Sequence, residues 1–342
     1  MTQKIASAAI ALAAVIALSA SADAATKLLV YTALEADQLK AYEVAFEAAN
    51  PDVDVEWVRD STGVVTAKLL AEKDNPQADI VMGLAATSLM LLQKEGMLMP
   101  YAPASLADIK PLMRDPAETP SWVGMDVWAS ALCFNTIEAD AKKLPKPASW
   151  EDLTKPEYQG QIVMPNPASS GTGYLMVSAW LQLMGEEKGW AFMDKLHQNI
   201  ATYTHSGSKP CKQASAGEYT IGLSFEYRAN SSKADGAPID IVLPSEGLGW
   251  DMEATGIMAT TKNVDAAKVL ADWATTEEAN KLYAENYAIV ARPGIAAKLE
   301  FVPGDVEPML IKNDFVWAAE NRARILEEWT KRYDTKSEPK SS

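Results

Sequence analysis

One stretch of the sequence has the residue types of an anion-binding helix start. Residues 164–176 read MPNPASSGTGYLM, and an amphipathic helix with Leu175, Ala179 and Leu183 on one stripe is predicted to follow. The first amides of a helix have no intrahelical partner, and the helix dipole adds roughly half a positive charge there. A phosphate, phosphonate, sulfate or carboxylate group would therefore bind at this point without a lysine beneath it. An ordinary serine cap on a structural helix gives the same pattern, and both interpretations stay open.

Three kinds of catalytic or cofactor site lack support in the sequence. The run Gly171–Gly173 is not a dinucleotide fingerprint, because Met176 stands where the third glycine would be. The two histidines, His197 and His205, have no HExxH spacing or other paired-ligand pattern, so a zinc enzyme is not expected. A secreted serine hydrolase would need one of them as its base, and a Gly-x-Ser-x-Gly elbow is missing. We therefore expect a protein that is not an enzyme and that uses neither a cofactor nor a metal.

The N-terminus and the overall charge predict an exported protein. Lys4 precedes an apolar run over residues 8–20 that is too short to span a bilayer, and residues 22–24 form a small-x-small cleavage site. We expect residues 1–24 to be a signal peptide that is cleaved near Ala24. The mature chain is then periplasmic and not embedded in the membrane. Its formal net charge of −15 disfavours nucleic acid and anionic lipid as partners.

From Lys27 onwards the sequence alternates short apolar strands with helices. The order β-α-β-α-β-α indicates a parallel sheet covered on both faces, and ligands bind beyond the carboxyl ends of such strands. The predicted elements are strands near 28–32, 53–59 and 79–82, and helices near 37–50, 64–73 and 87–95. Polar turns follow the three strands at residues 31–35, 60–63 and 83–88. We expect these turns to form one side of a cleft.

The middle of the chain indicates a second unit that is joined to the first by two crossings. Residues 121–135, SWVGMDVWASALCFN, are typical of a long strand that leaves the first unit, and residues 249–260 return as another apolar strand. Two crossings imply a hinge, and hinged pairs close around ligands. We predict an α/β, two-lobed fold with a cleft between the lobes. Lobe 1 is expected to comprise residues 25–127 and 250–342, including the C-terminal helices, and lobe 2 residues 128–249.

Two further predictions concern the cysteines and the C-terminus. Cys133 and Cys211 would reach an oxidising compartment, so a disulfide is possible, and two buried free thiols are the alternative. The final residues 336–342 are polar and are predicted to be disordered.

Several runs of the sequence carry a resemblance to a known family. The exported start, the segment WEDLTKPEYQGQI and the SSGTG helix start resemble the periplasmic solute-binding proteins of ABC transporters, of the class that includes ferric-ion and polyamine binders. YTALEADQLKAYEVAFEAANPDVDVEWVRDSTGV, VGMDVWASALCFN, MPNPASSGTGY, HSGSKPCKQ and SFEYR are similar to its 2-aminoethylphosphonate-binding branch. The resemblance implies the type II periplasmic binding protein fold, a Venus flytrap with a double-crossover hinge. It also implies a monomer that delivers 2-aminoethylphosphonate to an inner-membrane ABC permease.

The candidate residues can be matched to the two ends of that ligand. Its phosphonate has three oxygens and needs many donors, whereas its ammonium needs a carboxylate and favours an aromatic face. The candidate phosphonate ligands are Ser61, Thr62, Gly63, Ser169, Ser170, Gly171 and Thr172, with Lys209 as a charge behind them. The candidate ammonium ligands are Asp126 with Trp128, Glu226 with Tyr227, and Glu35 with Tyr31. For each acid the alternative is an exposed or salt-bridged carboxylate, and Tyr31 and Trp128 are alternatively core aromatics.

Other ligands stay open within the same fold. A ferric-ion carrier would normally show adjacent tyrosines, and Tyr227 has no tyrosine neighbour. Sulfate, phosphate or a polyamine are further alternatives.

Overall fold

The computed structural model describes residues 25–295, 297 and 299–339. The predicted signal peptide lies outside the described residues. The strands are β1 (Thr26–Thr32), β2 (Val53–Arg59), β3 (Ile80–Ala85), β4 (Val123–Asn135), β5 (Ile162–Pro165), β6 (Ile200–Thr204), β7 (Ile221–Phe225), β8 (Ile239–Val242), β9 (Trp250–Ile257) and β10 (Ile289–Val290). The helices are α1 (Ala36–Ala49), α2 (Thr62–Ala71), α3 (Ala86–Lys94), α4 (Thr136–Lys142), α5 (Gly171–Met184), α6 (Glu186–Asn199), α7 (Lys209–Ser215), α8 (Glu226–Ala234), α9 (Val264–Ala274), α10 (Glu277–Tyr283) and α11 (Phe315–Tyr333).

The strands pair in the order β2-β1-β3-β9-β4-β7-β5-β6, with β8 and β10 also paired to β4. Strands β1, β2 and β3 are parallel neighbours, which confirms the expectation from their alternation with helices. Strands β5, β6 and β7 form a second parallel group. The pairings of β9 with β3 and β4 are antiparallel, so the arrangement is mixed.

The long strand β4 belongs to both lobes. Its residues 123–129 pair with β9, and its residues 130–134 pair with β7. All of its residues are buried, because helices or strands cover it along its whole length. The strand therefore carries the chain from lobe 1 to lobe 2, as the sequence predicted, and β9 makes the return crossing beside it.

Helix α5 is buried more completely than an amphipathic helix would be. All residues from Gly171 to Leu181 are buried, whereas Leu183, which was predicted to share the buried stripe, is 38% exposed. The reason is that α5 packs between α6 and strands of both lobes, and that the Tyr174 hydroxyl donates to the Ala318 carbonyl of α11. An apolar sequence on every side of this helix is what such a position requires.

The C-terminal helix α11 makes contacts that differ from the expected ones. We expected the C-terminal helices to belong to lobe 1, and α11 does pack on α3. However, Trp329 lies edge-on to Tyr203 of β6 with ring centroids 4.8 Å apart, and Arg332 pairs with Asp194 of α6 at 3.2 Å. The aromatic face of α11 thus packs on lobe 2, while the lobe boundaries themselves stay a prediction.

The prediction of disorder from residue 336 onwards is wrong for the residues that the structure describes. The Lys336 ammonium donates to the carbonyls of His197 and Ile200 at 2.6 and 2.7 Å, and the Glu338 amide donates to the Tyr203 carbonyl at 2.9 Å. These contacts form because β6 is an edge strand whose outer groups need partners.

The two cysteines form a disulfide that joins β4 to α7. Cys133 and Cys211 are fully buried, and their Cα atoms are 5.3 Å apart. The structure therefore contains the disulfide and not the two buried free thiols. The disulfide closes a long loop within lobe 2, and a crosslink of this kind restricts the unfolded chain.

Replacing both cysteines by serine should lower the free energy of unfolding by about 2–4 kcal/mol, because the unfolded chain regains the entropy of that loop. Urea unfolding of the variant measures this, with wild-type protein under reducing conditions as the control. An unchanged midpoint would show that the bridge contributes nothing to stability.

Candidate functional site

The starts of α2 and α5 face each other across the boundary between the lobes. Ser61 is the N-cap residue of α2, and its hydroxyl makes no capping hydrogen bond. Ser170 caps α5, and its hydroxyl accepts a long hydrogen bond from the Gly173 amide at 3.4 Å. Two helix N-termini, each with unsatisfied amides and a positive dipole end, therefore converge at one place.

Glycines allow the two lobes to touch there. The Gly63 amide donates to the Ser169 carbonyl at 2.9 Å. A Cβ atom on Gly63 would lie 2.2 Å from the Ala168 carbonyl oxygen, and one on Gly171 would lie 2.6 Å from the Thr62 hydroxyl oxygen. Real Cβ atoms do not approach other atoms so closely, so this contact between the lobes depends on glycine at both positions.

A small pocket lies beside this contact, and its cavity volume is about 40 Å³. Residues of both lobes line it, and they include hydroxyls, charged groups and aromatic rings. The lining residues are Ala33, Glu35, Arg59, Ser61, Thr62, Trp128, Ser170, Gly171, Thr172, Gly207, Phe225, Glu253 and Tyr287. The structure thus brings together seven of the thirteen predicted site residues.

Arg59 adds a full positive charge to the two helix starts. It is the last residue of β2, its Nε donates to the Leu34 carbonyl at 2.9 Å, and its guanidinium lies 3.6 Å from the Glu35 carboxylate. Arg59 was not among the residues predicted from the sequence. A signal was present, because a basic residue directly before a polar turn stands at the carboxyl end of a parallel strand, where ligands bind.

Three buried carboxyl groups lie behind and beside the pocket. Asp126 of β4 stands directly opposite Glu253 of β9, and Glu253 lines the pocket. Glu226 begins α8 and accepts from the Ala129 amide at 2.7 Å. Among the described residues, both Asp126 oxygens and one oxygen each of Glu226 and Glu253 have no hydrogen-bond partner. Glu253 was also missed, although a charge within an apolar strand is a recognisable signal.

Burial disfavours the ionised form of these groups. It raises the pKa of Glu226 to about 8 and the pKa of Glu253 to about 8. Burial and the neighbouring Glu253 carboxyl raise the pKa of Asp126 well above its ordinary range. A cation that entered the pocket would reverse this effect, because it favours the carboxylate form.

Ion pairs make a second contact between the lobes. The buried guanidinium of Arg228, on α8 of lobe 2, lies 3.0 Å from the Glu35 carboxylate and 2.9 Å from the Asp37 carboxylate. Glu35 lines the pocket, but its carboxylate is held between Arg228 and Arg59. It therefore corresponds to the salt-bridged alternative given above.

Several other predicted residues lie outside the pocket lining. The Tyr31 hydroxyl donates to Glu72 at the far end of α2, so it is not beside the cleft. Tyr227 packs instead against Tyr287, with ring centroids 5.4 Å apart. Lys209 pairs with Glu338 and does not support the helix start.

Further differences concern the hydroxyl residues. The Ser169 hydroxyl is 2.9 Å from His205 Nδ1 and lies, like Gly63, on the other side of the lobe contact. In the turn after β3, Thr87 donates to Asp251 and Ser88 is hydrogen-bonded to Thr66. The hydroxyls of this turn are therefore bonded inside the protein and do not line the pocket, in contrast to the expectation. Local sequence does not reveal which side of a helix start faces the other lobe.

Comparison with known proteins identifies the family. A family model described as bacterial extracellular solute-binding protein matches residues 75–324. The chain belongs to this family. An uncharacterized protein of Haemophilus influenzae is 31% identical over 325 residues, which cover 93% of this chain and 94% of that protein. A Sinorhizobium fredii protein named as a probable ABC transporter periplasmic-binding protein is 26% identical over 72% of this chain and 69% of its own length.

Solved structures confirm the fold of this solute-binding protein. The periplasmic binding protein AfuA from Actinobacillus pleuropneumoniae, solved with fructose-6-phosphate bound, has a TM-score of 0.84 at 28% identity. The match covers 90% of this chain and 99% of that one. The predicted two-lobed periplasmic binding protein fold is therefore confirmed.

Family membership establishes the general role. The chain is an ABC solute-binding protein that takes a small ligand and works with a membrane permease, and its relatives are transport-associated binding proteins and not enzymes. In the part of the chain that the structure describes, no helix is long and apolar enough to cross a membrane. Within the same residues, no group of three or more His, Cys, Asp or Glu side chains has an arrangement that would hold a metal ion.

The variant Gly63→Ala should weaken ligand binding about tenfold or more, because its methyl group collides with lobe 2 and lowers the population of the closed form. The stability of the ligand-free protein should not fall, since alanine favours helix. Calorimetry and thermal unfolding measure the two effects.

Val64→Ala is the matched control, because the neighbouring Val64 is 39% exposed and its truncation adds no atom to the boundary. If Gly63→Ala bound ligand as tightly as Val64→Ala, the contact at Gly63 would not be part of closure.

Proposed function

We propose that this protein binds 2-aminoethylphosphonate in the pocket between its lobes and delivers it to the permease of an ABC importer. The observation that carries the proposal is that one pocket contains groups for both charges of the ligand. Arg59 and the starts of α2 and α5 suit the phosphonate, and Glu253 suits the ammonium. The proposal also rests on the long sequence runs that resemble the 2-aminoethylphosphonate-binding branch.

The phosphonate end would be bound by both lobes at once. Ser61 and Thr62 come from lobe 1, whereas Ser170, Gly171 and Thr172 come from lobe 2. The hydroxyls and free amides of these residues offer an anion many donors, and Arg59 offers a further pair. A related structure that contains fructose-6-phosphate supports a phosphorus oxyanion as part of the ligand.

The ammonium end separates 2-aminoethylphosphonate from a sugar phosphate. A sugar hydroxyl would leave the buried carboxyls protonated, whereas an ammonium would pair with the Glu253 carboxylate, with Asp126 and Glu226 behind it. The rings of Trp128, Phe225 and Tyr287 also line the pocket and would contact the cation through their faces.

Closure would couple binding to transport. A ligand that touches both lobes binds the closed form better, so it shifts the balance between open and closed forms toward the closed one. The permease would then recognise the closed form. We further propose that the protein acts as a periplasmic monomer after removal of residues 1–24 near Ala24.

Calorimetric titration with 2-aminoethylphosphonate should show one-to-one binding, and inorganic phosphate and ethanolamine should bind far more weakly because each satisfies one charge of the pocket. Tight binding of phosphate, fructose-6-phosphate, spermidine or ferric ion in place of the zwitterion would contradict the ligand assignment. Iron loading is followed by colour.

Thr172→Val should weaken 2-aminoethylphosphonate binding by roughly tenfold to a hundredfold, because it keeps the shape of the side chain and removes a donor to a charged group. Ser169→Ala is the control, since the Ser169 hydroxyl faces His205 and not the pocket. Equal affinities of the two variants would exclude the Thr172 hydroxyl as a phosphonate ligand.

A further inference from the structure

The three carboxyl groups next to the pocket have no basic partner. Asp126 and Glu226 are fully buried, and Glu253 is 8% exposed through the pocket. Among the described residues, no lysine, arginine or histidine forms an ion pair with any of the three. Two guanidinium groups on neighbouring elements are engaged elsewhere, because Arg228 pairs with Glu35 and Asp37, and Arg59 lies beside Glu35.

The other groups that face these carboxyls do not neutralise them. They are the phenols of Tyr42 on α1, Tyr283 on α10 and Tyr287 before β10, the Glu35 carboxylate before α1, and the amide of Gln38, which is bonded to Tyr287. Glu35 adds a further negative charge near Glu253. Asp251, also on β9, accepts from Thr87 and from the Met252 amide, so it is satisfied within lobe 1.

Three adjacent carboxyls in such surroundings do not all carry a negative charge. The repulsion between them and the loss of hydration both favour the protonated form, and a carboxyl that faces another carboxyl donates to it when protonated. An ammonium that enters beside Glu253 shifts the protonation equilibrium toward the carboxylate, because it attracts a negative carboxylate more strongly than a neutral, protonated carboxyl. The ligand cation and the bound proton therefore compete for the same negative charge.

Resting on the function proposed above, we infer that Asp126, Glu226 and Glu253 form one ammonium subsite, which releases about one proton to the solvent for each ligand ammonium that it binds. In this exchange a carboxylic acid and a free ammonium become a carboxylate–ammonium pair and a solvated proton. No covalent bond of the ligand changes. The subsite thus selects for a primary ammonium on the ligand and makes its uptake depend on pH.

The affinity should follow pH in a defined direction. Below pH 8 the carboxyls are largely protonated, because burial raises the pKa of both Glu226 and Glu253 to about 8. Raising the pH from 7 to 8 should then strengthen binding up to about tenfold, and the gain should level off above pH 8. A primary amine ionises above this window, so the ligand keeps its ammonium throughout it.

The test is calorimetric titration of the full-length mature protein at pH 7 in two buffers of different ionisation enthalpy, neither of which contains phosphate or a primary amine. With 2-aminoethylphosphonate, the enthalpy should differ between the buffers by an amount that corresponds to about one released proton. Ethylphosphonate, which lacks the ammonium, should bind more weakly and release fewer protons.

Variants locate the source of the proton. Glu253→Gln should weaken 2-aminoethylphosphonate binding and remove most of the buffer dependence, and Asp126→Asn provides a second variant if the first does not fold. Asp251→Asn is the matched control, because Asp251 is a buried acid on the same strand outside the cluster. It should keep the wild-type proton count.

The outcomes separate this inference from the proposed function. If 2-aminoethylphosphonate binds tightly with the same enthalpy in both buffers, the proton exchange is wrong and the ligand assignment stands. If ethylphosphonate releases as many protons as 2-aminoethylphosphonate, the proton comes from the phosphonate end and the inference is overturned. If 2-aminoethylphosphonate does not bind, the proposed function fails and the subsite fails with it.

Discussion

The antiparallel pairing of β4 with β9 is the constraint on which the rest of the structure depends. These two strands are the crossings between the lobes, so every movement of one lobe relative to the other must bend them. The same pairing places Asp126 opposite Glu253, since residues that oppose each other across an antiparallel pair lie within a few ångströms. The connection between the lobes and the acidic side of the pocket are therefore one structural element.

Charge organises the site around this pair of strands. Positive groups come from the facing edges of the two lobes, where α2 and α5 begin and β2 ends with Arg59. Negative groups come from the crossing strands and the start of α8. Because the two kinds of group line a single pocket, a ligand with one charge satisfies only half of it. Under the proposed function, a zwitterion of suitable length would satisfy both, and it would do so best when the lobes are in contact.

Many elements could be predicted from local patterns. β2 has the bounds that were expected, because alternation with period two is a local property of a sequence. The position of helix α5 was predicted correctly, but the burial of its residues was not. Leu183 is exposed although it is as apolar as the buried residues before it. Whether an apolar face meets protein or solvent depends on what packs against it.

The sequence by itself determined the two helix starts, Ser61–Gly63 and Ser170–Thr172, because small and hydroxyl residues at a strand-to-helix turn are a local signal. Only the tertiary structure decided that Arg59 and Glu253 join them, that Glu35 is held by Arg228, and that Tyr31 points away. These facts depend on strand register and on contacts between residues far apart in the chain. Such contacts arise when the lobes fold and meet, and no local spacing encodes them.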